Sequence, residues 1–420
     1  MRLKKRTEMM IALVVACLAI MIVATWNVSA AGEELTTPSG EPGSTSDSSL
    51  IQDENTKYSK NMDIWFMLML VAFLMIFIRK YEWGVALATL LVTAGSFLAY
   101  MATQQFYFDQ AWDQTLMIRG VICSITVVIA IGVFLGTIKM WQYLMVGALF
   151  GPIYAFVEWF LFQYLSGVVD PGGSILVHMC AAYFGLGVAL AIRDKRAFNE
   201  PQYTTTHSVS FVWLASMLLF ILWPSFVTSL LPADQVTWGM ITCYMAGIGS
   251  IITTYIVCQA VQKKVNPLIF TYAMLAGPVA IGSPLLSVNQ WGALVIGLVA
   301  GVVSALSFIY LQPWLTKKIG AMDVMGVHNL HGMGGWTGAL AAALIVGSAT
   351  NAIAAVSVAL ITLVTGAIVG AVVRVTRGKI SDELLFNDDL DFIKNEMPSS
   401  ASALNEMGAE ADREVSGATH

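Results

Sequence analysis

Three of the five histidines in this 420-residue chain lie in two passages of closely similar make-up. Residues 170–186 read DPGGSILVHMCAAYFGL, an acid and glycines followed by His178 in an uncharged run. Residues 323–338 read DVMGVHNLHGMGGWTG, where Asp323 and a glycine precede His328 and His331. On a helix the latter two stand about 60° apart. An imidazole at membrane depth is costly unless it is paired or faces a pathway, so both passages mark a functional site. Charging a buried imidazole forfeits its hydration, and a neutral pair sharing one proton is the expected state. A metal centre built from His178, Cys180, His328 and His331 is a poor alternative, because residues 178 and 180 point about 200° apart on a helix.

The elements that carry these residues follow from composition. The chain is 57% hydrophobic and only 12% charged, far from a soluble domain and typical of a polytopic all-α membrane protein. The formal charge of −5 comes largely from a polar insert near the start and an acidic tail, and gives no reason to expect a nucleic-acid partner. Five cysteines scattered in apolar runs offer no paired spacing for disulfides or cofactors. No catalytic constellation suggests an enzyme.

Residues 1–31 combine MRLKKR, an apolar run and small residues, the pattern of a signal peptide; an uncleaved first helix is the alternative. Residues 32–60, rich in Ser, Thr, Gly, Pro and acids, read as a disordered extracytoplasmic segment. Eleven apolar runs follow, at about 61–79, 83–103, 116–138, 141–163, 172–192, 208–231, 237–262, 267–287, 290–313, 325–347 and 352–374. Arg79 and Lys80, Lys139, Arg193 to Arg196, Lys263 and Lys264, Lys317 and Lys318, and Arg374 to Lys379 fall in every second connection. That alternation is what positive-inside topology predicts, with Arg119 near the outer end of the third run as the one exception. The expectation is eleven transmembrane helices, in two inverted five-helix repeats plus one, with residues 32–60 outside and the C-terminus cytoplasmic.

These residues resemble the Rh (Rhesus) branch of the ammonium transporter (Amt/Mep/Rh) family. The match rests on the two histidine passages, on FLMIFIRKYEWG at the end of the first run, ILWPSF at 221–226 and SALSFIYLQPWL at 304–315, and covers about residues 61–376. The resemblance implies a homotrimer in the lipid of the cell membrane, each subunit passing ammonium or ammonia without a cofactor. It implies that His178 and His328 are twin pore histidines, with His331 and Asp323 in support. Phe226 would close the pore from the outer side, near Trp223, while Ile122 stands where a second phenylalanine is expected. Asp170 and Glu158 would shape the outer vestibule; as sequence alone has it, Asp170 is equally a helix cap and Glu158 equally a solvated helix-end charge. Gly334 stands where the family has proline. A carbon dioxide conduit and a non-conducting scaffold or sensor are the competing functions. The tail, 377–420, carries DELLFNDDLDF at 382–392, suited either to docking on basic inner loops or to remaining unstructured.

Overall fold

The computed structural model describes residues 47–78, 80–198 and 204–393, so the signal-peptide expectation for 1–31 lies outside the described residues. All regular structure among these residues is helical. The helices are α1 (Asp47–Leu74), α2 (Glu82–Phe106), α3 (Gln114–Ile131), α4 (Met140–Trp159), α5 (Cys180–Ile192), α6 (Thr206–Val227) and α7 (Ala233–Gln262). They continue with α8 (Pro267–Ala273), α9 (Ala276–Ile281), α10 (Gln290–Leu306), α11 (Gln312–Ile319), α12 (Met333–Val346) and α13 (Thr350–Arg377). Four wide turns, in which an amide reaches back five residues, adjoin these helices at Phe160–Tyr164, Ser174–Met179, Ser307–Leu311 and His328–Gly332. Such π turns collect at functional sites, and two of these hold the histidines.

Among the described residues, eight helical segments are long and apolar enough to cross a membrane. The remaining apolar runs are helical in another manner. The run at 267–287 is split into α8 and α9, where Pro278 lacks the amide that would continue the first helix. Helix α12 has 14 residues and starts from the histidine turn. Helix α1 is charged over its first half. Residues 47–60 within the segment expected to be disordered are helical: Lys57 pairs with Asp53 at 2.8 Å, and Lys60, buried, donates to Thr228 Oγ1 at 2.6 Å.

Glycines let several helix pairs come into backbone contact, two of them at matching places in the chain. A Cβ on Gly95 or Gly147 would strike the facing carbonyl of Leu144 or Val92, between α2 and α4. Five apolar runs later the same happens between α7 and α10, where Gly249 and Gly297 lie against Leu294 and Ala246. Without water between helices, this close van der Waals fit holds membrane bundles together.

The described residues just beyond α13 dock on the helices. Leu385 and Phe386 are buried, the Phe386 amide donates to Gly136 O at 2.9 Å, and Gly84 N donates to Asp388 Oδ2 at 2.6 Å. Arg196 donates to Ile380 O at 2.8 Å and reaches Asp382, so one basic connection identified by sequence grips the acidic patch.

Candidate functional site

Each histidine passage begins with an aspartate whose carboxylate caps the turn behind it. Asp170 accepts from the Ile175 amide at 3.0 Å, the Leu176 amide at 2.8 Å and Ser283 Oγ at 2.6 Å. Asp323 accepts from the Val327 and His328 amides, both at 2.9 Å. Three residues after each acid the chain needs the left-handed region, which glycine enters without a Cβ penalty: Gly173 has φ 78° and Gly326 φ 67°. The chain then enters a wide turn, with His178 N donating to Gly173 O at 3.1 Å and Met333 N to His328 O. These turns set which way the imidazoles face.

The pairing that results differs from the expected one. His178 meets His331, not His328: the two Nδ1 atoms are 3.0 Å apart and the rings stack with centroids at 5.1 Å and planes at 26°. The reason is the wide turn at His328–Gly332, which spreads successive residues around the axis and sends its two histidines to different neighbours. His328 is buried elsewhere, its Nε2 3.3 Å from Tyr183 Oη, which in turn accepts from Trp336 Nε1 at 2.6 Å.

A narrow cavity of about 20 Å³ lies beside the His178–His331 pair, walled by Leu219, Trp223, Phe226 and Leu330 among other apolar groups. A water-sized molecule takes roughly 10–15 Å³ of such space, so the cavity has room for one such molecule. Phe226 also lines a second, outer cavity of about 150 Å³, together with Ile122, Glu158, Asp170 and Arg119. Phe226 therefore stands between the two spaces, with its ring 6.1 Å from that of His178. Trp223 lies 5.7 Å from the same imidazole. Ile122 is buried at the outer cavity, so an aliphatic side chain and an aromatic ring form its floor.

At the outer rim Glu158 is no free helix-end charge. Tyr100 Oη donates to its Oε2 at 2.7 Å and Gln104 Nε2 at 3.1 Å, while Arg119 Nε lies 3.7 Å from Oε1. Arg119, out of place for the positive-inside rule, is explained by that carboxylate. Ser283 carried no signal in the sequence, and Tyr183 and Trp336, although inside the two histidine passages, gave none of their contacts, which join residues distant in the chain. Gly334 remains helical, buried against Val279. Among the described residues, no group of three or more His, Cys, Asp or Glu is placed to hold a metal ion.

Comparison with known proteins agrees with this architecture. The model of the Ammonium Transporter Family matches residues 46–383. Ammonium transporter Rh type A of Canis lupus familiaris is 31% identical over 297 residues, 66% of this chain and 70% of its own length. Rhesus-like glycoprotein B of Dictyostelium discoideum is 29% identical over 320 residues, and the chain spans about half, 53%, of that relative's length. The solved Rh50 channel of Nitrosomonas europaea is 31% identical with a TM-score of 0.79, covering 87% of this chain and 99% of that one. Mep2 of Candida albicans, at 16% identity and a TM-score of 0.62 over 75% of this chain and 82% of its own, shares the fold. The chain belongs to the ammonium transporter family, on its Rh branch, a family of membrane transporters and channels and not of enzymes.

Proposed function

We propose that this protein passes ammonium nitrogen across the membrane as ammonia, through a pore lined by His178 and His331. The observation that carries this reading is the histidine pair beside a cavity of about 20 Å³ behind Phe226. An ammonium ion leaves its proton with water in the outer vestibule, because a bare cation in the apolar segment would cost several kcal/mol. Neutral ammonia then needs only hydrogen-bond partners. Two Nδ1 atoms 3.0 Å apart hold one proton between them, so one ring offers its Nε2 lone pair and the other its Nε2–H. The His178 Nε2 has no partner within the protein, as a group that serves a passing molecule requires.

In this reading Phe226 and Ile122 form the outer constriction, Trp223 walls the histidine cavity, and Glu158 shapes the vestibule. Asp170 and Asp323 hold the two turns, and His328 supports the second from behind. Eleven spans in two inverted halves plus one are supported by the matching α2–α4 and α7–α10 contacts and the two aspartate-capped turns. Residues 61–376 form the transport unit, the preceding segment lies outside, and the tail from 377 lies in the cytoplasm. The homotrimer in the cell membrane is what the family resemblance implies.

The test is internal pH in liposomes bearing the purified protein. An inward ammonium gradient should alkalinise the interior faster than in empty liposomes. Equal rates would overturn the proposal, and accelerated carbon dioxide acidification without ammonia movement would favour a gas conduit instead.

A further inference from the structure

Among the described residues, Arg119 is the one cationic side chain lining either the vestibule of about 150 Å³ or the wider depression of about 470 Å³, and Glu158 lines both. Its Nε is buried and makes no hydrogen bond, yet lies 3.7 Å from Glu158 Oε1. The other carboxylate oxygen of Glu158 is fixed by Tyr100 and Gln104, so the acid cannot swing away from the guanidinium. The third charged group there, Asp170, spends its oxygens on two amides and Ser283. The geometry points to Arg119 as a residue that sets affinity: it cancels the charge of Glu158, so that the vestibule does not hold ammonium tightly.

The consequence follows from what the site must do. A cation held firmly by an uncompensated carboxylate would resist both losing its proton and leaving the vestibule. A guanidinium beside the acid weakens that hold for any monovalent cation alike, leaving turnover to the apolar segment. Burial of Arg119 Nε without a hydrogen bond is costly, and the carboxylate 3.7 Å away offsets part of that cost. Arg119 touches no reacting atom in this scheme. It acts through Glu158.

The inference rests on the transport reading, so wild-type protein in liposomes must first accelerate ammonium-driven alkalinisation; if it does not, that reading fails before this one is tested. With wild-type transport in hand, Arg119→Gln should lower the apparent KM for ammonium about threefold or more, the effect of one unit charge several ångströms away in a partly aqueous site. Maximal flux should stay the same or fall. The KM of R119Q should rise steeply with ionic strength, while the wild-type KM changes little. The double variant R119Q/E158Q, which removes both charges, should return KM to the wild-type value, and E158Q alone should raise it. A merely structural arginine would lower expression without splitting KM from flux, and an unchanged or raised KM in R119Q would overturn the inference. Should R119Q fail to assemble, the double variant decides: KM equal to wild type supports charge cancellation, and KM equal to E158Q refutes it.

Discussion

His178 and His331 face each other through their Nδ1 atoms at 3.0 Å, and each stands eight residues after a capping aspartate, 170 to 178 and 323 to 331. Each is also five residues after a left-handed glycine, 173 to 178 and 326 to 331. Equal register on two elements makes the imidazoles equivalent members of one pair. His328 has no counterpart in the first passage, where Ile175 occupies the matching place.

Replacing His178 or His331 by Asp puts a fixed negative charge beside the narrow cavity. Such variants should lose ammonia flux or begin to pass potassium, measured as current across a bilayer, while still folding. His328→Ala removes only the contact with Tyr183 and should leave ion selectivity unchanged. If His328→Ala rather than the His331 variant admitted potassium, the pairing proposed for the pore would be wrong.

Phe226→Ala removes the ring that separates the vestibule from the histidine cavity. Loss of a buried phenylalanine should cost about 3–5 kcal/mol of stability. Flux of methylammonium relative to ammonia should rise, because the floor of the vestibule then opens wider than one small molecule. Unchanged selectivity between the two substrates would place the constriction elsewhere.

Asp170→Ala leaves the Ile175 and Leu176 amides and the Ser283 hydroxyl without their acceptor. Buried donors stripped of a partner cost about 1–3 kcal/mol each, so the variant should unfold at markedly lower temperature in detergent. Ser283→Ala removes one donor only and should cost about 1 kcal/mol with an unchanged KM. An Asp170→Ala protein of wild-type thermal stability would show that the cap is dispensable.

The docked tail responds to acid through Asp194. The Arg196 hydrogen bond, aided by the charges of Arg196 and Arg377, holds the Asp194 carboxyl below the ordinary aspartate range, although partial burial opposes it. A depressed folded value means the stabilisation is complete above the unfolded pKa of about 3.9 and disappears as pH falls through the folded one. A spin label at Ser381 should therefore stay ordered from about pH 9 to 5 and gain mobility only below about 4. Phe386→Ala, which removes the side chain packed at Gly136, should mobilise the label at neutral pH. Mobility that rises between pH 7 and 6 would point to a histidine in place of Asp194.

The sequence by itself determined a helical membrane protein, the two histidine passages and the family, because runs of apolar residues, alternating basic connections and long motifs are local properties of the chain. The same register count that pairs His178 with His331 was present in the letters. Matching HNLH by its first histidine, and not by distance from Asp323, hid it. Ile122 and Phe226, which the resemblance singled out, both line the cavity of about 150 Å³.

Only the tertiary structure decided which imidazoles meet. Helical periodicity assumes a regular turn, and the wide turn at His328–Gly332 redirects its side chains by an amount that no local pattern announces. It also decided that Glu158 is tied to Arg119 and Tyr100, that Asp170 is bonded to Ser283, and that the acidic tail lies on Gly136 and Gly84. Each of these joins residues distant in sequence. Their energies exist only once packed helices exclude water and leave a buried charge or donor with one possible partner.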